Sequence, residues 1–572
     1  MQRSNLNLIT RRGFLDRSFK TGLAVALSTL TDIPFVMKRA LAEGSIGLNG
    51  KKLLFIWLRG ANDALNSVIP VMDSAYAPNR PTIRIPLDGQ TNYSTPGGCD
   101  FPINAASGDD TYSYASAIRL GNGFAAFHPS LKFLAPVYNA GELALIHRVG
   151  YPRQSRSHFD SQNYWENGSP NNNLSKDGIF YRTMLEYLRG QGAAASALTG
   201  VSIQSSLPLI LRGSEAPMTN LTDPNRYALL GIPNNTNGVI KATAALDTAN
   251  GIAFPGKRNR DLLQLQYENL NKTLDIFAGI DFDENPVGNQ YGNYYRDDEV
   301  TDNDSQWASG TPSQNPNDPN RGYYLFPTTA VKNGGWQRPG PNGAQVFDKY
   351  AVPTNLHSFF QNLKAAALVL NKTDAIIAGT EYGGFDTHSN QGGVTGAHSN
   401  LNRGIGWAMY ALRKYFTLYA DKATWENVVV VTLTEFGRTT VENSDAGTDH
   451  AEAGVMFVAG GGVKGYGRGP TGVFNCGPDT PSQALVDPIP WIPGGADQGG
   501  GVDGAMFGVN NRYLRRTTDY RSVLGEIIRK HLGATQGQLQ RIIPGYANPA
   551  DALMNGGLST DSTPIRGEVG IL

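Results

Sequence analysis

Residues 428–465, VVVVTLTEFGRTTVENSDAGTDHAEAGVMFVAGGGVKG, carry the pattern that decides the fold class. They begin with an apolar and mostly β-branched run, Val428–Leu433, which is typical of a strand buried on both faces. A polar connection and a second apolar run, Gly454–Ala459, follow. Similar runs alternate with amphipathic helical segments along the chain. The sequence therefore predicts an α/β protein with a mostly parallel sheet covered on both faces.

The polar connection between these two runs contains Glu435, Asp449 and His450. Ligands bind just beyond the carboxyl ends of parallel strands in open α/β sheets, and Glu435 stands at such an end. Three ligand-type side chains in one short segment predict a metal site. The alternative is an acidic residue that caps a helix and a histidine at the surface.

A second group of ligand-type residues follows the short strand predicted at 375–379, in the segment GGFDTHSNQ. Asp386 and His388 are two residues apart, so their side chains project to the same side if the backbone is extended. A carboxylate and an imidazole on one side suit zinc or another divalent ion. The alternative is that Asp386 only orients His388. His398 lies nearby in the sequence and is a candidate for contacting the ligands.

Two further candidates also follow predicted strands. Asp63 comes after the strand Leu53–Leu58 and is either a metal or polar anchor or a turn aspartate. Ser157 comes after the strand predicted at 142–149 and begins a helix. The amides of a helix N-terminus and the neighbouring Arg156 can stabilise an oxyanion, so Ser157 is a candidate nucleophile. The alternative is an N-cap serine, which is a far commoner use of this residue.

The N-terminal segment has the three parts of an export signal. Thr10–Leu15, TRRGFL, resembles the twin-arginine motif, an apolar region spans Phe19–Leu30, and Ala40–Ala42 fits an A-x-A cleavage site. The alternative is a short amphipathic helix with incidental arginines. We predict a signal peptide at 1–42 and export of the folded protein by the twin-arginine machinery. The mature chain, from Glu43, is then expected in the periplasm or outside the cell.

Composition limits the classes of partner. The 572 residues include 49 basic and 49 acidic ones, so net charge gives no argument for binding nucleic acid or an anionic membrane. After the signal no apolar run of about 20 residues occurs, so no transmembrane span is expected. Cys99 and Cys476 allow at most one disulfide. We expect 43–572 to form one domain with a polar insertion at about 281–350. Further elements predicted from the pattern are helices at 258–278, 355–370, 400–419 and 520–533, and a strand at Leu207–Gly213.

Taken together, the motifs resemble a known family. The motifs that carry the resemblance are G-x-x-D at Gly60–Asp63, S-H-F-D at Ser157–Asp160, G-G-F-D-T-H-x-x-Q at Gly383–Gln391, E-F-G-R at Glu435–Arg438, and D-H at Asp449–His450 followed by G-G-G-V-K-G. Over nearly the whole mature chain, the sequence is similar to the domain-of-unknown-function family 1501. That family is often exported by the twin-arginine route and is grouped with the alkaline phosphatase/sulfatase superfamily. The resemblance implies a doubly wound α/β/α sandwich of alkaline-phosphatase-like type with long loop insertions.

The same resemblance implies a divalent-metal site, with zinc as the first candidate and one or two ions bound. By position, Asp386, His388 and His450 resemble the ligand set of one metal. Asp63 and Glu435 resemble carboxylates that bind a second. Such ions lower the pKa of a nucleophile and hold the ester oxygens.

The superfamily further implies a Ser/Thr-type nucleophile that attacks a phosphate or sulfate ester, and Ser157 lies in that region. Arg153, Arg156 or Arg438 would neutralise the developing charge. The chain departs from the well-studied enzymes where their strand-end Asp-His pair is replaced by Glu435-Phe436, which removes one imidazole. The spacing of the other Asp and His is also shorter here. Because no sulfatase-type C-x-P-S-R motif is present, a formylglycine sulfatase is not expected.

These features favour an exported, metal-dependent hydrolase whose substrate is a small-molecule or polymeric ester of phosphate or sulfate. The alternative is a non-catalytic exported binding or scaffold protein with the same fold and a degenerate metal site. An oxidoreductase has less support, because the sequence has no G-x-G-x-x-G after a strand and no cysteine cluster.

Overall fold

A computed structural model describes the chain over the following residues: 46–47, 49–89, 91–99, 116–191, 198–216, 218–223, 273, 276–277, 279–284, 286–290, 322–327, 337–339, 345–347, 352–469, 472–477, 507–509, 513–546 and 552–572. The predicted signal peptide at 1–42 lies outside these residues, as do most of the helix predicted at 258–278 and most of the predicted insertion. Among the described helices, none combines the length and the apolar character needed to cross a membrane.

A nine-stranded sheet forms the centre of the described structure. Its strands are β1 (Lys52–Leu58), β2 (Leu143–Gly150), β3 (Gly200–Ile203), β4 (Thr219–Leu221), β5 (Ile377–Tyr382), β6 (Val428–Leu433), β7 (Gly454–Ala459), β8 (Val473–Phe474) and β9 (Thr518–Asp519). The order across the sheet is β8-β2-β7-β6-β1-β5-β3-β4, and β9 also pairs with β2. Neighbouring strands are parallel except at β7, which is antiparallel to β6 and to β2. The predicted α/β class with a mostly parallel sheet is confirmed.

Both faces of this sheet are buried, because alternate residues of a strand point to opposite sides. In β1, Leu54 and Ile56 pack into one hydrophobic core, whereas Phe55 and Trp57 pack into the other. The valines of β6 divide between the two cores in the same way. Burial on both sides explains why these strands appear in the sequence as continuous apolar runs.

Helices cover the two faces of the sheet. The described ones are α1 (Ala64–Ser67), α2 (Tyr76–Asn79), α3 (Leu134–Asn139), α4 (His158–Asn167), α5 (Ile179–Gln191), α6 (His357–Lys372), α7 (Ala397–Leu418), α8 (Tyr520–Glu526), α9 (Gln536–Ile542) and α10 (Ala552–Asn555). A π-helical segment, Ile527–His531, extends α8. Helices α6 and α7 pack into the core that contains Leu54, and α8 and α9 pack into the core that contains Phe55. The helices predicted at 355–370, 400–419 and 520–533 are thus present, with ends shifted by a few residues.

Short elements occupy the connections. One small sheet among the described residues has three strands, in which Ala126–Phe127 pairs with both Val68–Ile69 and Ile118–Arg119. Four further small sheets have two strands each: Val287–Gln290 with Gly322–Tyr324, Gln337–Pro339 with Gln345–Phe347, Phe507–Val509 with Tyr513–Leu514, and Gly557–Leu558 with Pro564–Ile565. The 3-10 helices are Pro129–Leu131, Leu209–Leu211, Thr354–Leu356 and Trp425–Asn427. The strand predicted at Leu207–Gly213 is therefore wrong: Pro208 has no amide hydrogen for a strand ladder, and a 3-10 turn follows it.

The direction of β7 determines which loops meet. Strands β1, β2, β5 and β6 all end at one edge of the sheet, which we call the carboxyl edge. Because β7 runs in the opposite direction, the connection 434–453 leaves β6 and returns to the sheet at the same edge. The loops 59–63, 151–157 and 383–391 follow β1, β2 and β5 there. All segments that carry candidate site residues are thereby collected at the carboxyl edge.

Cys99 and Cys476 are both buried thiols. The single disulfide that the sequence allowed is not formed between them.

Candidate metal centre

Four side chains converge at the carboxyl edge, and we call them the His/Asp cluster: His158, Asp386, His388 and His450. His158 is the first residue of α4, Asp386 and His388 lie in the loop after β5, and His450 lies between β6 and β7. The Nε2 atom of His450 lies 2.9 Å from Nε2 of His158 and 2.9 Å from Nε2 of His388. The Oδ1 atom of Asp386 lies 3.1 Å from His450 Nε2 and 3.0 Å from His388 Nε2. Its distance to His158 Nε2 is 3.4 Å.

The other ring nitrogen of each cluster histidine, Nδ1, faces an oxygen acceptor. The three pairs are His158 with Glu435 Oε1 at 2.8 Å, His388 with Asp449 Oδ1 at 3.2 Å, and His450 with the carbonyl oxygen of Arg156 at 2.8 Å. A neutral imidazole carries one proton, and these acceptors favour the tautomer with that proton on Nδ1. Each neutral histidine therefore directs the lone pair of its Nε2 atom into the cluster.

Lone pairs that converge at such distances repel one another unless a positive charge lies among them. A proton shared between two nitrogens would relieve one contact, whereas a metal ion can bind several of these atoms at once. Tetrahedral ligands about 2.0–2.1 Å from zinc lie about 3.3 Å from one another. The three atoms His158 Nε2, His450 Nε2 and Asp386 Oδ1 lie 2.9 Å to 3.4 Å from one another, and these three residues form a group that could hold an ion. Imidazole nitrogens with one carboxylate oxygen fit zinc or a similar divalent ion.

The His/Asp cluster is open to solvent. The side chains of Asp386 and His388 are 45% and 44% exposed, and that of His450 is 26% exposed. Zinc sites that only stabilise a fold are closed by four protein ligands, whereas catalytic sites leave a position for water or substrate. The exposure of the cluster matches the second kind of site.

Arg438 holds Asp386 in place from the buried side. Its guanidinium donates to Asp386 Oδ1, and its three nitrogens also reach the carbonyl oxygens of Gly60, Ala61, Phe385 and Thr448. Burial opposes ionisation of Asp386, but the hydrogen bond and charge of Arg438 outweigh it and lower the pKa of Asp386 to about 2. Arg438 is thus engaged by the protein itself, which differs from the predicted role of neutralising charge on an ester.

Glu435 follows β6 and orients His158. Its Oε1 atom accepts from His158 Nδ1, from the amide of Gly60 at 2.8 Å and from Gln162 Nε2 at 3.1 Å. The hydrogen bond to Glu435 outweighs burial and raises the pKa of His158. Among the described residues, Glu435 Oε2 has no hydrogen-bond partner although it is buried. Residue 60 must be glycine, because its φ is +108° and a Cβ atom would lie 2.5 Å from the amide nitrogen of Asp386.

Asp449 does for His388 what Glu435 does for His158. Its Oδ1 atom accepts from His388 Nδ1 and, at 3.0 Å, from Asn443 Nδ2. The same Asn443 nitrogen lies 2.9 Å from the carbonyl oxygen of His388. Glu435 and Asp449, which the sequence placed among the metal ligands, therefore contact the far nitrogens of the histidines.

Two other predicted site residues bind elsewhere. Asp63 is fully buried, and its oxygens accept from Arg80 Nη1 at 2.6 Å, from Arg80 Nη2 at 3.0 Å and from Gln391 Nε2 at 2.6 Å. The hydroxyl oxygen of Ser157 accepts from the amide of Asp160 at 3.4 Å and caps α4. These contacts correspond to the alternatives of a polar anchor and an N-cap.

His158 is the cluster member that the sequence did not place among the ligands. Its motif, SHFD, was interpreted only as the setting of Ser157. A signal was present, since His158 follows β2 just as Asp386 follows β5, at the carboxyl ends of parallel strands. Arg156, two residues earlier, contributes its carbonyl oxygen to His450.

Comparison with known protein families gives a match over one segment of the chain. Residues 342–469 match the family model described as "Protein of unknown function (DUF1501)". No curated protein and no solved structure matches the chain. The matched segment contains Asp386, His388 and His450, whereas Asp63 and His158 lie outside it. The resemblance to this family of unknown function is therefore supported over the segment that supplies most of the His/Asp cluster.

Proposed function

We propose that the protein is an exported, metal-dependent hydrolase of phosphate or sulfate esters, on an alkaline-phosphatase-like version of the α/β fold. The observation that carries the proposal is the convergence of His158 Nε2, His450 Nε2 and Asp386 Oδ1, at separations of 2.9–3.4 Å, on an open edge of the sheet. His388 Nε2 adjoins this group, 2.9 Å from His450 and 3.0 Å from Asp386. Export rests on the twin-arginine motif in the N-terminal segment.

The proposed ion, zinc as first candidate, is held by Asp386 and by the histidines of the cluster. A bound divalent ion lowers the pKa of water and polarises an ester oxygen. Glu435 and Asp449 keep the protons of His158 and His388 on Nδ1, so that both Nε2 atoms remain able to bind. Arg438 keeps Asp386 ionised and in position.

The attacking group in this proposal is water. Ser157 was the predicted nucleophile, but its oxygen caps α4 by accepting from the amide of Asp160. Attack by water makes one displacement at phosphorus or sulfur and forms no covalent intermediate with the protein. A chiral phosphate ester is then hydrolysed with inversion, whereas a serine nucleophile would give retention through two displacements.

The test combines metal analysis with a screen of aryl phosphates and aryl sulfates. Purified mature protein should contain bound metal and release the aryl alcohol, and His388→Ala and His450→Ala should each abolish turnover. The matched control is Asp445→Asn, an exposed carboxylate in the same connection as His450. Turnover that survives both histidine substitutions would exclude the cluster as the active site.

One observation favours the second candidate, a non-catalytic exported binding protein. Arg438 and Ser157, two of the groups expected to act on an ester, are engaged in holding the protein's own loops. Metal bound by the cluster with no turnover of either ester class would support this candidate.

A further inference from the structure

The loop 151–157, which follows β2, is held rigidly by its uncharged side chains. Gln154 Oε1 accepts from the amide of Tyr151 at 3.0 Å, and Gln154 Nε2 donates to the carbonyl oxygen of Glu435 at 2.9 Å. The Tyr151 hydroxyl accepts from the amide of Ser155 at 3.1 Å and lies 2.7 Å from Ser161 Oγ. The backbone of this loop is thus fixed relative to both β6 and α4.

Within the described structure, the two arginines of the same loop, unlike its uncharged side chains, do not take part in holding the loop with their side-chain hydrogen bonds. Arg153 and Arg156 are exposed, and neither guanidinium makes a hydrogen bond or ion pair with the described residues. Arg156 is positioned by stacking, with its guanidinium carbon 4.5 Å from the centre of the Tyr513 ring. Arg153 is held with φ at +53°, a strained conformation for an arginine, and its amide donates to Asp561 Oδ2 at 3.1 Å. A fixed loop therefore presents two guanidinium groups that make no hydrogen bond or ion pair within the described residues, and Arg156 acts on Glu452 only through the field of its charge.

Arg156 lies beside the His/Asp cluster, and Arg153 is three residues earlier in the same loop. The carbonyl oxygen of Arg156 is the acceptor for His450 Nδ1 at 2.8 Å, so the backbone of Arg156 contacts the cluster while its exposed guanidinium stacks on Tyr513. The nearby carboxylates do not cancel this charge. Asp561 is already paired with Arg516 at 2.9 Å, and Glu452 lies in the field of Arg156, Arg515 and Arg516.

We propose that Arg156, assisted by Arg153, binds a second anionic group of the substrate, next to the phosphate or sulfate that the cluster holds. The inference rests on the proposed function and narrows its substrate class to esters with two neighbouring anionic groups, such as bisphosphates or multiply sulfated sugars. Guanidinium groups suit this task because their fork of N–H donors matches the oxygens of phosphate and sulfate. Stacking on Tyr513 limits the freedom that Arg156 would lose on binding.

The experiment compares two stable ligands on metal-loaded mature protein by titration calorimetry. Methylenediphosphonate carries two anionic groups, and methylphosphonate carries one. The native protein should bind the diphosphonate more tightly, and the double variant Arg153→Gln/Arg156→Gln should lose roughly tenfold in affinity for it. Affinity for methylphosphonate should stay unchanged. Arg156→Lys should recover only part of the loss, because an ammonium cannot bind in the bidentate manner. The control is Arg468→Gln, which removes an exposed arginine at the opposite edge of the sheet, beside Glu142.

The outcomes separate this inference from the proposed function, because turnover of aryl esters is measured on the same variants. If the double variant binds the diphosphonate as tightly as the native protein does, the role of the two arginines is overturned, whether or not esters are hydrolysed. An arginine-dependent preference without turnover supports the anion site and overturns the hydrolase. Equal losses for both ligands also overturn the inference, since they indicate damage to the cluster itself.

Discussion

Two groups of charged side chains at the carboxyl edge differ in how their charges are balanced. Asp63 is fully buried, and its oxygens accept from Arg80 and Gln391. Burial would raise its pKa, but the charge and hydrogen bonds of Arg80 lower it. Asp386 is 45% exposed, and its Oδ1 atom faces Arg438 together with the Nε2 atoms of the cluster histidines. The first group is complete within the protein, whereas the second directs several lone pairs at one another.

The comparison teaches that residue type and position alone do not identify a metal ligand. Asp63 and Asp386 both follow parallel strands, and both resemble metal-binding carboxylates in the sequence. Both carboxylates face a guanidinium, and the difference lies in their other neighbours, which are the amide donors of Gln391 and Leu65 at Asp63 and imidazole nitrogens at Asp386. A carboxylate whose acceptor positions are all filled by internal donors has no place for an ion.

The largest effect is expected from breaking the buried pair. Arg80→Met leaves the Asp63 carboxylate without its cation, so the free energy of unfolding should fall by about 3–5 kcal/mol. Denaturation by urea measures the change. The double variant Arg80→Met/Asp63→Asn should recover part of the loss, because no buried charge is then left uncompensated. A loss below about 1 kcal/mol in the single variant would contradict the account of Asp63 as an internal anchor.

The next effect concerns the exposed cluster. His450→Gln removes the Nε2 atom that lies within 3.1 Å of three others. Zinc affinity, measured by equilibrium dialysis, should fall more than about 100-fold, since loss of an outer partner alone typically costs 10- to 100-fold. Stability without metal should change little, because the histidine is partly exposed. Equal zinc affinity in His450→Gln and Asp445→Asn would refute the metal centre.

A smaller effect is expected on the pH dependence of stability, through the buried His398 in the field of Asp63. Burial lowers the pKa of His398 to about 4, against about 6.5 in an unfolded chain. The stability linked to this group is fully present above pH 6.5 and is lost as the pH falls toward 4, because only the unfolded state takes up the proton. Between pH 7 and pH 5 the loss is about 2 kcal/mol. His398→Asn should remove this share of the pH dependence, as measured by denaturant unfolding at both pH values. An unchanged pH dependence would mean that His398 is not held neutral by burial.

The smallest expected effect decides between the two uses of Ser157. If its hydroxyl only caps α4, Ser157→Ala should cost about 1 kcal/mol of stability and leave ester turnover nearly unchanged. Ser157→Asp, which keeps a capping oxygen, serves as the stability control. Loss of turnover in Ser157→Ala with stability intact would restore the serine as nucleophile.

The sequence predicted the scaffold of the site better than its detail. The apolar runs of β1 and β6 identified buried parallel strands, and parallel strands place their carboxyl ends at one edge. That rule predicted that the loops with Asp386, His388 and His450 lie at this edge. The antiparallel direction of β7 also had a signal, because the polar connection 434–453 shows no helix of the kind that parallel crossovers use.

The contacts of individual side chains could not be predicted from the sequence pattern. Asp63 and Arg80 are 17 positions apart, and their pairing depends on how the short elements between them fold back, which no periodicity records. Glu435 and Asp449 were taken as ligands because carboxylates serve equally well to bind an ion or to orient a histidine. His158 was missed because an adjacent serine at a helix start drew the interpretation toward a nucleophile.

The contact between Arg438 and Asp386 has a consequence for the order of maturation. A permanent guanidinium counter-charge already stabilises the one cluster carboxylate, so Asp386 can reach its final position in an ion-free chain. For the metal centre proposed above, binding of the ion would then be a late event that requires little rearrangement, and the supply of ions in the compartment where it occurs would decide which species is bound.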